Sequence, residues 1–127
     1  MKFRNGRNKP KAIKWFTDFM AQLAPHSDHL VKMGQAFEPL EHYFSVTIIH
    51  HLPNLYTKAG TINQKSTDCS NIEKTTIDAI FGKKYNEYMP NINIDDSQIC
   101  ELHSFKKFTE AEPLIEIHVS LKNRETL

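Results

Sequence analysis

The chain has 127 residues, a hydrophobic fraction of 39% and a formal net charge of +1, which fits one domain (1–127) with its own core. No apolar run approaches the ~20 residues that cross a bilayer, and no signal-peptide core follows the N-terminus, so a cytoplasmic protein without membrane contact is expected. Its two cysteines, Cys69 and Cys100, make neither a metal-type spacing nor a secreted disulfide framework, and are expected to be reduced thiols.

Charge is unevenly spread. Lys2, Arg4, Arg7, Lys9, Lys11 and Lys14 all precede the first acid, Asp18. A basic arm over about residues 1–14 points to a polyanionic partner, DNA or RNA, with a solvated tail as the plainer alternative. Residues 1–8 read as irregular, with Asn5-Gly6 as a turn signal. Pro10 can open a helix. Ile13, Phe16, Phe19 and Leu23 then recur at helical spacing to about Ala24, where Pro25 stops the pattern. A short helical turn around Leu30–Met33, ended near Gly34, is the reading for the next segment.

Glu41 to His51 is the clearest strand. Phe44, Val46, Ile48 and His50 fall on one face, and Tyr43, Ser45, Thr47, Ile49 and His51 on the other. The loop from Leu52 to Lys65 is long for a compact domain, and its Tyr56, Lys58 and Lys65 give it aromatic and basic content.

A capped helix follows. Ser66, Thr67, Asp68 and Ser70 are all good N-caps, and Gly82 is a natural stop. Ile72, Thr76, Ile77, Ala79 and Ile80 make its apolar face. Asn71, Lys74 and Asp78 share one polar stripe, being three and then four residues apart. After a connection from Lys83 to Asn93, the acidic pair Asp95-Asp96 opens a strand from Ser97 to Phe108. A last strand, Leu114 to Leu121, should pair with it as an antiparallel hairpin turning at Glu110–Pro113. The expected fold is an α+β layer, with helices packed on one face of a small mixed β-sheet.

Two acidic clusters, at a helix start and a strand start, could meet and hold a divalent metal. Phosphodiester hydrolysis needs phosphate charge neutralised and a water made nucleophilic, and Mg²⁺ held by a few carboxylates does both. Asp68 lies where the helix dipole also favours an acid. Adjacent acids on a strand point to opposite faces, so one of Asp95 and Asp96 would serve as ligand. Lys74 can reach a phosphate oxygen, and Asp78 could orient Lys74 or a metal-bound water. Each residue also has a plainer role: Asp68 as an N-cap, Asp95-Asp96 as turn chemistry, and the stripe as a solvated helix face. His26 and His29, and the adjacent His50-His51, lack a completing carboxylate or thiol pattern for zinc and read as surface or strand histidines.

The run Asp68-Cys69-Ser70-Asn71-Ile72-Glu73-Lys74, its continuation Ile77-Asp78-Ala79-Ile80, and the later Asp95-Asp96-Ser97-Gln98-Ile99 before two strands resemble the RusA family of Holliday-junction resolvases. The similarity covers roughly Leu40 to Leu121. It implies a homodimeric, Mg²⁺-dependent endonuclease, with Mn²⁺ as the alternative metal, that cuts four-way DNA junctions in bacterial or phage recombination and repair. On that resemblance Asp68 and Asp96 are metal ligands and catalytic, with Asp95 as a further candidate ligand. Lys74 is catalytic, and Asn71 and Asp78 are supporting. Ser70 stands where the family pattern has a second aspartate, and a hydroxyl is a poorer Mg²⁺ ligand than a carboxylate. The alternative is therefore a branched-DNA-binding protein of the same fold with weakened or lost catalysis.

Overall fold

The computed structural model describes residues 1–4, 12–65, 69–82 and 94–127, with backbone alone at 4, 12–17 and 70–72. The strands are β1 (Lys2–Arg4), β2 (His42–Leu52), β3 (Ile99–Phe108) and β4 (Leu114–Asn123). The helices are α1 (Ala12–Leu23), α2 (Ser27–Ala36) and α3 (Cys69–Phe81). The four strands form one mixed sheet in the order β1-β4-β2-β3. β2 runs parallel to β3 and antiparallel to β4, and β4 runs antiparallel to β1.

The alternation read in β2 sets the two faces of this sheet. Phe44, Val46 and Ile48 join Ile115 and Ile117 of β4 in one buried cluster. Phe19, Met20 and Leu23 of α1, Leu30 of α2, and Ala79, Ile80 and Phe81 of α3 complete it. The expected α+β layer with helices on one sheet face is thus what forms. Fully burying a side chain such as Ile48 or Leu30 stabilises the fold by about 1.5–3 kcal/mol each. Aromatic rings tie the layers together. Phe3 stacks on Phe19 at 4.6 Å, Phe37 on Phe44 at 4.9 Å, and Phe81 meets Phe44 edge-on at 5.8 Å.

Three expectations are corrected. Residues 1–8 are not irregular throughout, because Lys2–Arg4 form β1, paired with Glu116, Ile115 and Leu114. Phe3 drives this, being fully buried against the core. Pro25 does end α1, at Leu23, as expected, but the short turn expected at Leu30–Met33 is a full helix: Pro25 enters a 3₁₀ turn, Ala24–His26, and α2 runs from Ser27 to Ala36, past Gly34. A proline fits the start of such a turn because its missing N–H has no partner there. Finally, β3 and β4 are not a hairpin. They run in opposite directions, as expected, but β2 lies between them. The linking residues 109–113 are enough to cross the roughly 10 Å between next-nearest strands. Burial explains the exchange: Ile115 and Ile117 of β4 are core residues, whereas β3 is exposed or half-buried along its length and takes the edge.

Candidate active site

α3 forms where its apolar spacing and Gly82 predict, and the N-cap candidates Ser66, Thr67 and Asp68 lie outside the described residues. Thr76, Ala79, Ile80 and Phe81 are buried, while Lys74 and Asp78 are exposed on the opposite side. The helix stops where Gly82 donates its N–H to the Asp78 carbonyl at 3.1 Å. A Cβ at Gly82 would lie 2.1 Å from that same oxygen, so only glycine fits. Ser70 and Asn71 lie in the first turn of α3, with side chains outside the described residues, and Asp68 is outside them altogether. Among the described residues no ion pair joins Lys74 to Asp78.

Asp95 and Asp96 sit on a turn, not on a strand. Ile94 is fully buried and anchors the segment. Asp95 is extended (φ −124°, ψ 138°) and caps a 3₁₀ turn, Asp96–Gln98, that leads into β3. Its carboxylate accepts the Ser97 N–H at 2.9 Å, and its own N–H donates to Gln98 Oε1 at 3.3 Å. The Ser97 N–H holds the Asp95 carboxyl below its ordinary pKa, with smaller help from the Ser97 and Asp96 side chains. One carboxylate of the pair is thus engaged in shaping the turn. Asp96 is exposed at the start of that turn.

This turn packs against α3, so the structure brings the segment bearing Asp95 and Asp96 against the helix bearing Ser70, Asn71, Lys74 and Asp78. Ser97 and Gln98 also line a cleft of about 370 Å³, shared with Phe37, His42, Tyr43 and Cys100. Among the described residues no group of three His, Cys, Asp or Glu side chains could hold a metal. The donor set there is Asp96, with Asp95 half-committed to its cap. Hard carboxylate oxygens of this kind suit Mg²⁺ or Mn²⁺, and Asp68, the other acid expected as a ligand, lies outside the described residues.

Of the basic arm, Arg4 lies in β1 and Lys14 in α1, each with its side chain outside the described residues. Arg7, Lys9 and Lys11 lie outside them entirely.

The sheet face away from the helices holds a cluster that sequence reading missed. Glu116 of β4 binds His51 of β2 at 3.0 Å and His118 on its own strand. The His118 and His51 hydrogen bonds, in that order, hold the Glu116 carboxyl below its ordinary pKa. Toward the other end of β2 on the same face, Tyr43 donates to Glu101, which also pairs with Lys122 at 3.5 Å. Strand alternation placed His51 on this face, but a cross-strand partner can be read only once the register is known.

Comparison with known proteins gives one positive result. The family model described as endodeoxyribonuclease RusA matches residues 8–120. No match was found among curated proteins or among solved structures. No helix among the described residues is long and apolar enough to cross a membrane.

Proposed function

The chain belongs to the RusA endodeoxyribonuclease family, and from that membership we propose that it is a Mg²⁺-dependent endonuclease that resolves Holliday junctions and other branched DNA in recombination and repair. The match over residues 8–120 carries the reading. The packing of the Asp95–Asp96 turn against α3 supports it, since both motif segments then border one region of the surface.

Asp68 and Asp96 would hold the metal, with Asp95 contributing what its capping role leaves. When bound, Mg²⁺ (or Mn²⁺) neutralises phosphate charge and lowers the pKa of a coordinated water. Lys74, exposed on α3, offers a cation to a phosphate oxygen. Asp78, one turn further along, can accept a proton or orient Lys74, and Asn71 can donate an amide hydrogen bond to the backbone. Arg4, Arg7, Lys9, Lys11 and Lys14 would neutralise phosphates of the arms. A two-fold junction is best matched by a homodimer presenting two such sites. Its place of action would be the cytoplasm of a bacterium, encoded there or by a phage.

Two observations favour a second reading, a junction-binding protein with weakened catalysis. Ser70 supplies a neutral hydroxyl where the family pattern has an acid, and the Asp95 carboxylate is held by Ser97. Cleavage of a synthetic four-way junction with Mg²⁺, with Mn²⁺ and with chelator tests both. The enzyme reading expects metal-dependent cutting that Asp68→Asn abolishes while binding persists. Binding without cutting, together with cutting gained by Ser70→Asp, would establish the second reading.

A further inference from the structure

The loop between β2 and α3 is built rather than loose. Tyr56 and Ile62 pair across it as an isolated antiparallel bridge. Asn63 donates its N–H to the Leu55 carbonyl at 2.8 Å, Thr57 donates its N–H to the Thr61 carbonyl at 2.8 Å, and Gly60 takes the left-handed conformation (φ 85°) that closes the tip. Leu55, 5% exposed, pins the loop to the core. Yet this ordered loop holds two other large apolar side chains outward. Tyr56 is 48% and Ile62 57% exposed. The Tyr56 ring meets Phe108, itself 49% exposed, at 5.8 Å.

Bridged residues of an antiparallel pair project side by side, so Ile62 flanks Tyr56 and the three make one continuous apolar patch. Such a patch held out on a braced loop marks an interaction site. Its surroundings indicate the partner. Lys58 and Lys65 on the same loop are both exposed. Lys65 stands four residues before Cys69, the start of α3, which limits the separation to about 14 Å. Ile62 stands seven residues before Cys69, so this edge of the patch lies at most about 25 Å from the start of α3.

We propose that Tyr56, Ile62 and Phe108 form a wedge that stacks on bases exposed at the branch point of the DNA, while Lys58 and Lys65 hold the flanking phosphates. This rests on the junction-nuclease reading above. Bases in a continuous duplex stack on one another and present only edges and phosphates to a protein. Bases at a branch point have a free face, and an aromatic ring on that face gains stacking energy without reading sequence. The wedge thus gives a structural reason for preferring branched over linear DNA, which a basic arm alone does not supply, because phosphate contacts are equally available on both.

The test measures equilibrium binding in chelator, by fluorescence anisotropy, of a synthetic four-way junction and of a linear duplex of the same arm sequence. The expected result is that Tyr56→Ala and Phe108→Ala each lower junction affinity roughly tenfold while leaving duplex affinity unchanged. Lys58→Ala and Lys65→Ala should weaken both and reduce the salt slope by about one each. All four positions are exposed, and Ile62→Ser, with an unchanged unfolding midpoint, provides a further variant that keeps the fold. A 2-aminopurine placed at the branch point should change its fluorescence on binding, and that change should vanish in the Tyr56→Ala, Phe108→Ala double variant. Variants that retain the unchanged chain's junction preference, or that lose affinity equally for both DNAs, overturn the wedge and leave the nuclease reading standing. No junction preference in the unchanged chain overturns the junction reading and the wedge with it. Loss of a dimer on Tyr56→Ala, seen by sedimentation, would assign the patch to self-association instead and overturn the proposal.

Discussion

Asp95 and Gln98 cap each other across the turn before β3. The Asp95 carboxylate takes the Ser97 N–H at 2.9 Å, and the Gln98 side-chain Oε1 takes the Asp95 N–H at 3.3 Å. This reciprocal arrangement fixes the backbone from which Asp96 projects, so the two neighbouring aspartates have separable jobs.

Substitution should divide them. Asp96→Asn is expected to abolish metal-dependent junction cleavage with no change in thermal midpoint, because the side chain is exposed. Asp95→Ala is expected to cost about 1 kcal/mol of stability, the usual worth of such a cap. It should lower cleavage only partly, through a loosened turn. Paired thermal melts and cleavage rates check both, and equal loss of cleavage in the two variants would refute the division.

Gly82 should tolerate no side chain. A Cβ there meets the Asp78 carbonyl oxygen at 2.1 Å, a backbone atom that cannot step aside without breaking the end of α3. Gly82→Ala is expected to destabilise the domain by roughly 1–3 kcal/mol, as overpacking does. Urea unfolding measures it, and a midpoint within error of the unchanged chain would be the contrary result.

The open sheet face should report acid. His118 and His51 hold the Glu116 carboxyl below its ordinary pKa. A carboxylate with a lowered folded pKa adds stability above its unfolded pKa of about 4.3, and that stability is lost as pH falls through the lowered folded value. Glu116→Gln should therefore flatten the decline of the melting temperature below about pH 4.3 and leave a lower, nearly pH-independent contribution above it. Melts from pH 3 to 7 decide the matter, and parallel curves for the two chains would exclude the effect.

How far such features could be read from residues alone depended on how local they are. α3 was visible because capping residues, an apolar stripe and Gly82 all lie within one short run. β2 was visible because its pleat alternates residue by residue. β1 was hidden, since three residues carry no period and its one signal, Phe3, sits among basic residues. The placement of β2 between β3 and β4 is a long-range outcome, decided by which strand brings core residues. The site divides in the same way. Asp96 stood out through its motif. The capping role of Asp95 was also present, as an acid followed three residues later by glutamine, but the pattern reads equally as a metal pair until the turn is seen.

The position of β4 has a consequence for how the molecule is made. Among the described residues, Lys2–Arg4 pairs with residues 114–116 alone, and β2 has β4 along one whole side. A ribosome that has produced everything up to β3 has therefore released a sheet lacking one of its two inner strands, with Phe44, Val46 and Ile48 half covered and Phe3 without its seat. Completion waits for β4, which is made after β3. High sequence separation between paired strands slows folding. The nascent form in that interval is the state most exposed to aggregation and to protease.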